Sequence, residues 1–211
     1  MKRVLVTVRI CTYIALLTMT SACTKKVDWS EDVQLADGRV VTLTRHQEFG
    51  GPHELFQPPT ESVGWLEFKH PDTGQKIRWD FTRDLRPVAL LIEHNTTRLL
   101  VVLEYGAIFR RHCPSPPFLL YQYGEHGWKE EPIENLRGQK IRQNVISTPF
   151  DAEEIMKTDN LHLNVQHTMQ RANGYTHGHR IDFGKLTTQT FEMRGCSPPF
   201  NYLLENQETM Q

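Results

Sequence analysis

The alternation in "VQLADGRVVTLTRHQEF" constrains this chain most. Val33 and Leu35 lead into Asp37-Gly38, and Val41, Leu43 and Arg45 then alternate with Val40, Thr42 and Thr44. A period of two on both sides of Asp-Gly specifies a β-hairpin, because this dipeptide accommodates the positive φ angles of a tight turn that matches strand twist. "GWLEFKHPDTGQKIRWDF" repeats the plan. Residues 65–69 run into Pro71-Asp72-Thr73-Gly74, and Ile77, Trp79 and Phe81 alternate on the return. Between the two, "EFGGPHELFQPPTES" carries two Gly and three Pro and is read as an exposed loop.

"RPVALLIEHNTTRLLVVLEYGAIF" is strongly apolar, but Glu93, His94, Asn95 and Arg98 divide it into runs too short to span a bilayer. It reads as two central, well-buried strands joined by a turn at residues 94–97, and Asn95-Thr96-Thr97 reads as part of that turn. "PFLLYQYGEHGWKEEPI" gives a fourth hairpin turning at residues 124–127, with Pro132 suited only to an edge or a strand end. No fixed period connects the hairpins, so neither a propeller nor a solenoid is indicated. In the last third, Asp151 and Glu154 form a capping-box pattern for a short helix over 152–157. Leu161, Leu163 and Val165 alternate as a strand, and further strands are expected near 180–183 and 187–193, before a polar tail from Glu205. The expected fold is mainly β: an antiparallel sandwich or open curved sheet built from hairpins, with one short helix, in a single domain over residues 29–211.

The chain opens MKRVLVTVRICTYIALLTMTSAC, with Lys2, Arg3 and Arg9 ahead of an uncharged stretch over 10–22. That is the layout of a secretory signal peptide, here residues 1–22. Its end, Met19-Thr20-Ser21-Ala22-Cys23, resembles the lipobox of bacterial lipoproteins, with Thr20 where leucine is commoner. The resemblance implies that Cys23 receives a diacylglycerol and becomes the first residue of the mature chain, followed by a short tether over 23–28. In Gram-negative lipoproteins, a residue such as Thr24 in place of Asp after the cysteine implies the outer membrane, with the domain facing the periplasm or the cell surface. "DWSEDVQLADGRVVTLTR" and "PPFLLYQYGEHGWKEEPI" look like stretches of small proteobacterial lipoproteins with no assigned activity.

Loss of the signal removes three basic residues, so 24 become 21 against 25 acidic ones and the formal charge moves from -1 to -4. A mildly acidic chain has no general attraction for nucleic acid. Of the four cysteines, Cys11 leaves with the signal and Cys23 goes to lipid, which leaves Cys113 in "HCPSPPF" and Cys196 in "GCSPPFN". In an oxidising compartment these two are expected to form a disulfide, the alternative being two independent buried thiols. A loop this long is stabilised by roughly 4 to 5 kcal/mol in the chain-entropy limit.

The search for chemistry is sparse. His177 and His179 form a His-x-His pair with His162 and His167 within reach in sequence, a weak metal candidate. Gly174 and Gly178 favour solvated loop histidines instead, so neither a metal nor any other cofactor is expected. Nucleophile-elbow, zinc-protease, phosphate-loop and EF-hand patterns do not occur in the sequence, and no catalytic residue is assigned. Glu130-Glu131 and Glu153-Glu154 are adjacent carboxylates, read as solvated. Trp65, Trp79, Tyr121, Tyr123 and Trp128 fall on strands and are read as core, the alternative being a groove for glycan or peptide. The functional expectation is a non-enzymatic binding, adaptor or structural lipoprotein, tied to the membrane through its lipid and facing an envelope partner. The alternative is an envelope hydrolase of peptidoglycan or another glycan.

Overall fold

The computed structural model of the chain describes residues 24–50, 61–112, 114, 117–147, 161–175, 181–182, 190–191 and 200–201. All four hairpins form. β1 (Lys25–Gln34) and β2 (Val40–Phe49) pair antiparallel from Lys25↔Phe49 to Gln34↔Val40, and Gly38 takes a φ of 87° in the turn. Residues 25–28, expected within a tether, are therefore strand. The inward alternation simply starts earlier, since Val27 and Trp29 are buried in phase with Val33. β3 (Glu61–Lys69) and β4 (Lys76–Thr82) extend the meander, with Gly74 at φ 69°.

The second sheet has the order β5 (Leu85–Glu93), β6 (Thr96–Leu103), β7 (Phe118–Gly124), β8 (Gly127–Glu131), all antiparallel. β5 is an edge strand rather than a central one. Its apolar run has another cause, because the sheet is covered on both faces. Leu90, Ile92, Leu99, Val101 and Leu119 meet the first sheet, while Val88, Ala89, Leu100, Val102 and Leu120 face Leu136 and Ile141. Those two belong to a 3-10 turn, Ile133–Leu136, and to β9 (Lys140–Ile141). A register shift between Pro87 and Ala89 lets the two consecutive residues Val88 and Ala89 join the same outer core.

The two sheets pack face to face around one core. β4 leads through Arg83 and Asp84 into β5, its Trp79 meets Tyr121 of β7, and its Arg78 carbonyl accepts the Trp128 indole N–H of β8 at 2.7 Å. The chain changes sheet at this corner, and β4 packs across both β7 and β8. On the far side, residues 142–147 run as a strap between β1 and β5. Asn144 Oδ1 accepts the Leu90 N–H at 2.9 Å, and its Nδ2 donates to the carbonyls of Leu90 and Gln34, each at 3.0 Å. One amide side chain thereby satisfies the Leu90 N–H and C=O on β5's open edge and joins that edge to β1.

Helix is a minor component. α1 (Tyr105–Arg110) follows β6 and buries Ala107 and Ile108 between the sheets. β10 (Leu161–Leu163) adds to β1 in parallel, giving the order β10-β1-β2-β3-β4. Val165, expected to continue that strand, instead begins α2 (Val165–Tyr175). The reason is local: the Asn164 side chain accepts the His167 N–H at 3.1 Å, the geometry of a helix N-cap. β11 (Ile181–Asp182) pairs with β9, and β12 (Thr190–Phe191) pairs with β13 (Phe200–Asn201). The helix expected over 152–157 lies outside the described residues.

Candidate functional site

The outer face of the first sheet is built by the residues that alternate against the core. On β3, Gly64, Leu66 and Phe68 point inward, so Val63, Trp65 and Glu67 point out. Strand register then fixes their neighbours, placing His46 opposite Trp65 on one side and Asp80 on the other. The His46 ring stacks on Trp65 with centroids 5.4 Å apart and planes 12° apart, and the Arg78 guanidinium lies 4.5 Å from the Trp65 ring centroid. A cation over an indole at such a surface contributes about 0.5 to 1 kcal/mol. Its second effect is to fix the ring.

Acidic groups hold this layer in place. Arg78 donates to Asp80 through Nε at 3.0 Å and Nη2 at 2.7 Å, which raises the arginine further above its ordinary pKa. His46 Nδ1 lies 2.7 Å from Asp28 and its Nε2 lies 3.5 Å from Glu48. Hydrogen bonds from Lys26 first, then His46, hold the Glu48 carboxyl below the usual glutamate value. Beside the stack, His46, Val63, Trp65, Arg78, Asp80 and Leu85 line a shallow depression of about 490 Å³. Val63 is 45% exposed there, so the patch combines apolar surface with the charged groups of Glu48, Arg78 and Asp80.

The five strand aromatics thus divide. Trp79 is buried in the core between the sheets and Tyr121, Tyr123 and Trp128 pack half-buried against it, whereas Trp65 does not. The sequence signal was ambiguous because Trp65, Leu66 and Phe68 place apolar residues in both phases of β3. Gly64 settles the phase: a Cβ there would lie 2.6 Å from the His46 carbonyl oxygen and 2.7 Å from Phe81.

The carboxylates are paired. Glu130 accepts from Arg111 at 2.9 Å, and Glu131 lies 3.5 Å from Lys129. A second group lies where β3, β5 and α1 begin. Arg86 is in direct contact with Glu104 and 3.6 Å from Glu61, while Arg110 reaches Asp84 at 2.5 Å. Burial pushes the Glu61 carboxyl above its ordinary value, with Arg86 partly opposing it. Sequence reasoning missed this group, whose members are far apart in the chain.

His162 lies 2.8 Å from the Ser30 hydroxyl and 3.2 Å from Asp32, and His167 is exposed on α2, so the structure does not bring them together as ligands. Among the described residues, no group of three or more His, Cys, Asp and Glu side chains is arranged to hold a metal. No helix among them is long and apolar enough to cross a membrane. Cys23, Cys113, Cys196, Glu153, Glu154, His177 and His179 lie outside the described residues. Compared with known proteins, the chain matches no family, and neither a curated protein nor a solved structure is significantly similar to it.

Proposed function

We propose that this chain is a lipid-anchored protein of the bacterial envelope, acylated at Cys23, that binds another envelope component through the outer face of its first sheet. The observation that carries the binding reading is the His46–Trp65–Arg78 stack: an indole on a solvent-facing strand, held rigid on both sides, with Val63 exposed beside it. Rigid Trp and Arg side chains dominate binding energy at protein interfaces, because little conformational freedom is lost when they are covered. Favouring this over a hydrolase, Glu48, Glu61 and Asp84, which line the depressions at one end of the first sheet, are paired with Lys26, Arg86 and Arg110. A glycosidase instead needs one carboxylic acid and one free carboxylate facing a substrate. The outer membrane, facing the periplasm or the cell surface, is the location this reading assigns, with Cys113 and Cys196 disulfide-bonded there.

The test is photo-crosslinking in the native envelope from a benzophenone amino acid at position 65 or 63, read by mass spectrometry. A discrete adduct that disappears in Arg78→Ala supports the reading. If no adduct forms and purified protein releases soluble products from peptidoglycan, the reading is wrong. Metabolic labelling with a palmitate analogue should be lost in Cys23→Ala, and labelling that persists refutes acylation at this residue. Thiol trapping of denatured, unreduced protein should find neither Cys113 nor Cys196 free.

A further inference from the structure

Covalent geometry at the start of β1 fixes how an anchored domain stands. Thr24 is already against the body of the domain, since a Cβ on Gly50 would lie 3.2 Å from its hydroxyl and 3.3 Å from its Cα. Lys25 is paired to Phe49. Two residues of extended chain span at most about 7 Å, so an anchor at Cys23 has almost no slack. Thr24 shares a shallow depression of about 430 Å³ with Gly50, Ser62, Thr82, Arg83 and Asp84. These residues lie at the end of β2, the start of β3 and the β4–β5 corner, which is one end of the sandwich.

We infer that this end of the sandwich rests on the phospholipid bilayer, with the β1–β2 and β3–β4 turns pointing away from it. The inference rests on acylation at Cys23. The ten residues of β1 put the far turns about 33 Å from the anchor along the strand. There Arg39 joins the two turns, bonding Asp37 at 2.6 Å and Asp72 at 2.5 Å. Among the described residues the near end is polar and of mixed charge, with Lys26 on Glu48 and Arg110 on Asp84, which suits contact with headgroups. Trp65 lies three residues along β3 from Ser62, about 10 Å above the contact. A partner reaching the Trp65 patch would therefore itself lie close to the membrane.

The test uses full-length protein purified from bacterial membranes, with its acyl mass measured, and reconstituted into phosphatidylethanolamine–phosphatidylglycerol vesicles that contain a headgroup spin-labelled lipid. Fluorophores are attached to Arg83→Cys or Ala36→Cys without reduction, and the parent protein sets the background. The label at 83 should be quenched several-fold more than the label at 36. A flexible insert of about ten Gly and Ser residues after Cys23, reaching roughly 17 Å, should abolish the difference while acylation persists. Equal quenching at both positions in acylated protein overturns the orientation alone. A mature protein without acyl mass overturns the lipoprotein reading and the orientation with it.

Discussion

Arg45→Met should be among the most damaging single substitutions in this protein. Arg45 and Glu31 are 1% and 0% exposed, and they meet at 2.5 Å on the inner face of the first sheet. The Arg45 guanidinium also donates to the Ile146 carbonyl at 3.0 Å, and Glu31 accepts the Ile146 N–H at 3.2 Å. Desolvation pushes the Glu31 carboxyl above its ordinary value, with Arg45 pulling it partly back. Without Arg45 the carboxylate stands unpaired in the core, and breaking such a pair costs about 3 to 5 kcal/mol. For a domain of this size each kcal/mol lowers Tm by about 2 to 4 °C, so a fall on the order of 10 °C is expected. The pH dependence has a definite sign. A carboxyl whose folded pKa is raised contributes stability that is present at acid pH and lost as pH rises through that pKa. Removing Arg45 raises it further, so the variant's deficit should widen with pH. Glu31→Leu, which leaves the Arg45 guanidinium without its carboxylate in the core, should cost a similar amount. Replacing both, Glu31→Leu with Arg45→Met, removes both charges and leaves only the Ile146 backbone groups unpaired, at about 1 to 3 kcal/mol each. Arg45 Nε has no hydrogen-bond partner among the described residues, so the pair is itself incompletely satisfied. Urea unfolding of all four proteins across acid and neutral pH would read this out. A pH-independent deficit, or a double variant as unstable as the sum of its singles, would refute the reasoning.

Gly64→Ala forces a methyl to within 2.6 Å of the His46 carbonyl oxygen, so a loss of about 1 to 3 kcal/mol is expected in the same assay. Wild-type stability would show that β3 shifts freely. Asn144→Ala removes three hydrogen bonds that join the strap to both sheets. A loss near 3 kcal/mol is expected, with amide exchange accelerated most at Leu90, and unchanged protection there would contradict the strap's role. The carboxyls of Glu61 and Glu48 should titrate on opposite sides of the ordinary glutamate value, the first raised by burial and the second lowered by Lys26. Glu61 therefore contributes stability lost as pH rises through its folded pKa, and Glu48 contributes stability lost as pH falls through its own. Carboxyl NMR that found the reverse order would exclude these pairings.

The first two hairpins were legible because each combines period-two alternation with a turn glycine that takes positive φ, Gly38 and Gly74. What alternation cannot report is how many faces of a sheet are covered. The runs of β5 and β6 spoke for burial on both sides but not for position, and β5 lies at an edge whose Leu90 N–H and C=O are satisfied by Asn144, more than fifty residues further on. Val165 shows the opposite failure. Three apolar residues at alternate positions looked like strand, while the adjacent Asn164 carried a helix-start signal that the alternation masked. For the candidate site, the aromatic residue types were visible, but the phase of β3 was not, and that phase alone separates Trp65 from Trp79.

The buried pair marks where sequence reasoning stops. Glu31 lies in phase with Val27, Trp29 and Val33, and Arg45 in phase with Val41, Leu43 and Phe49, so each charge occupies a core position of its strand. Opposite charges in the core phases of two strands joined by a hairpin already imply that they meet, since neither is tolerated there alone. Their third partner is the backbone of Ile146, over a hundred residues away, and no local pattern announces it. The position of that contact explains why the charges are there at all. They divide the inner face of the first sheet into one core against the second sheet and another, with Val27, Trp29 and Phe49, against Ile146 of the strap. An apolar pair would make that seam continuous and leave the strap's register to Asn144 alone. A charged pair bonded to the N–H and C=O of Ile146 fixes the strap there, as the Asn144 side chain does two residues earlier.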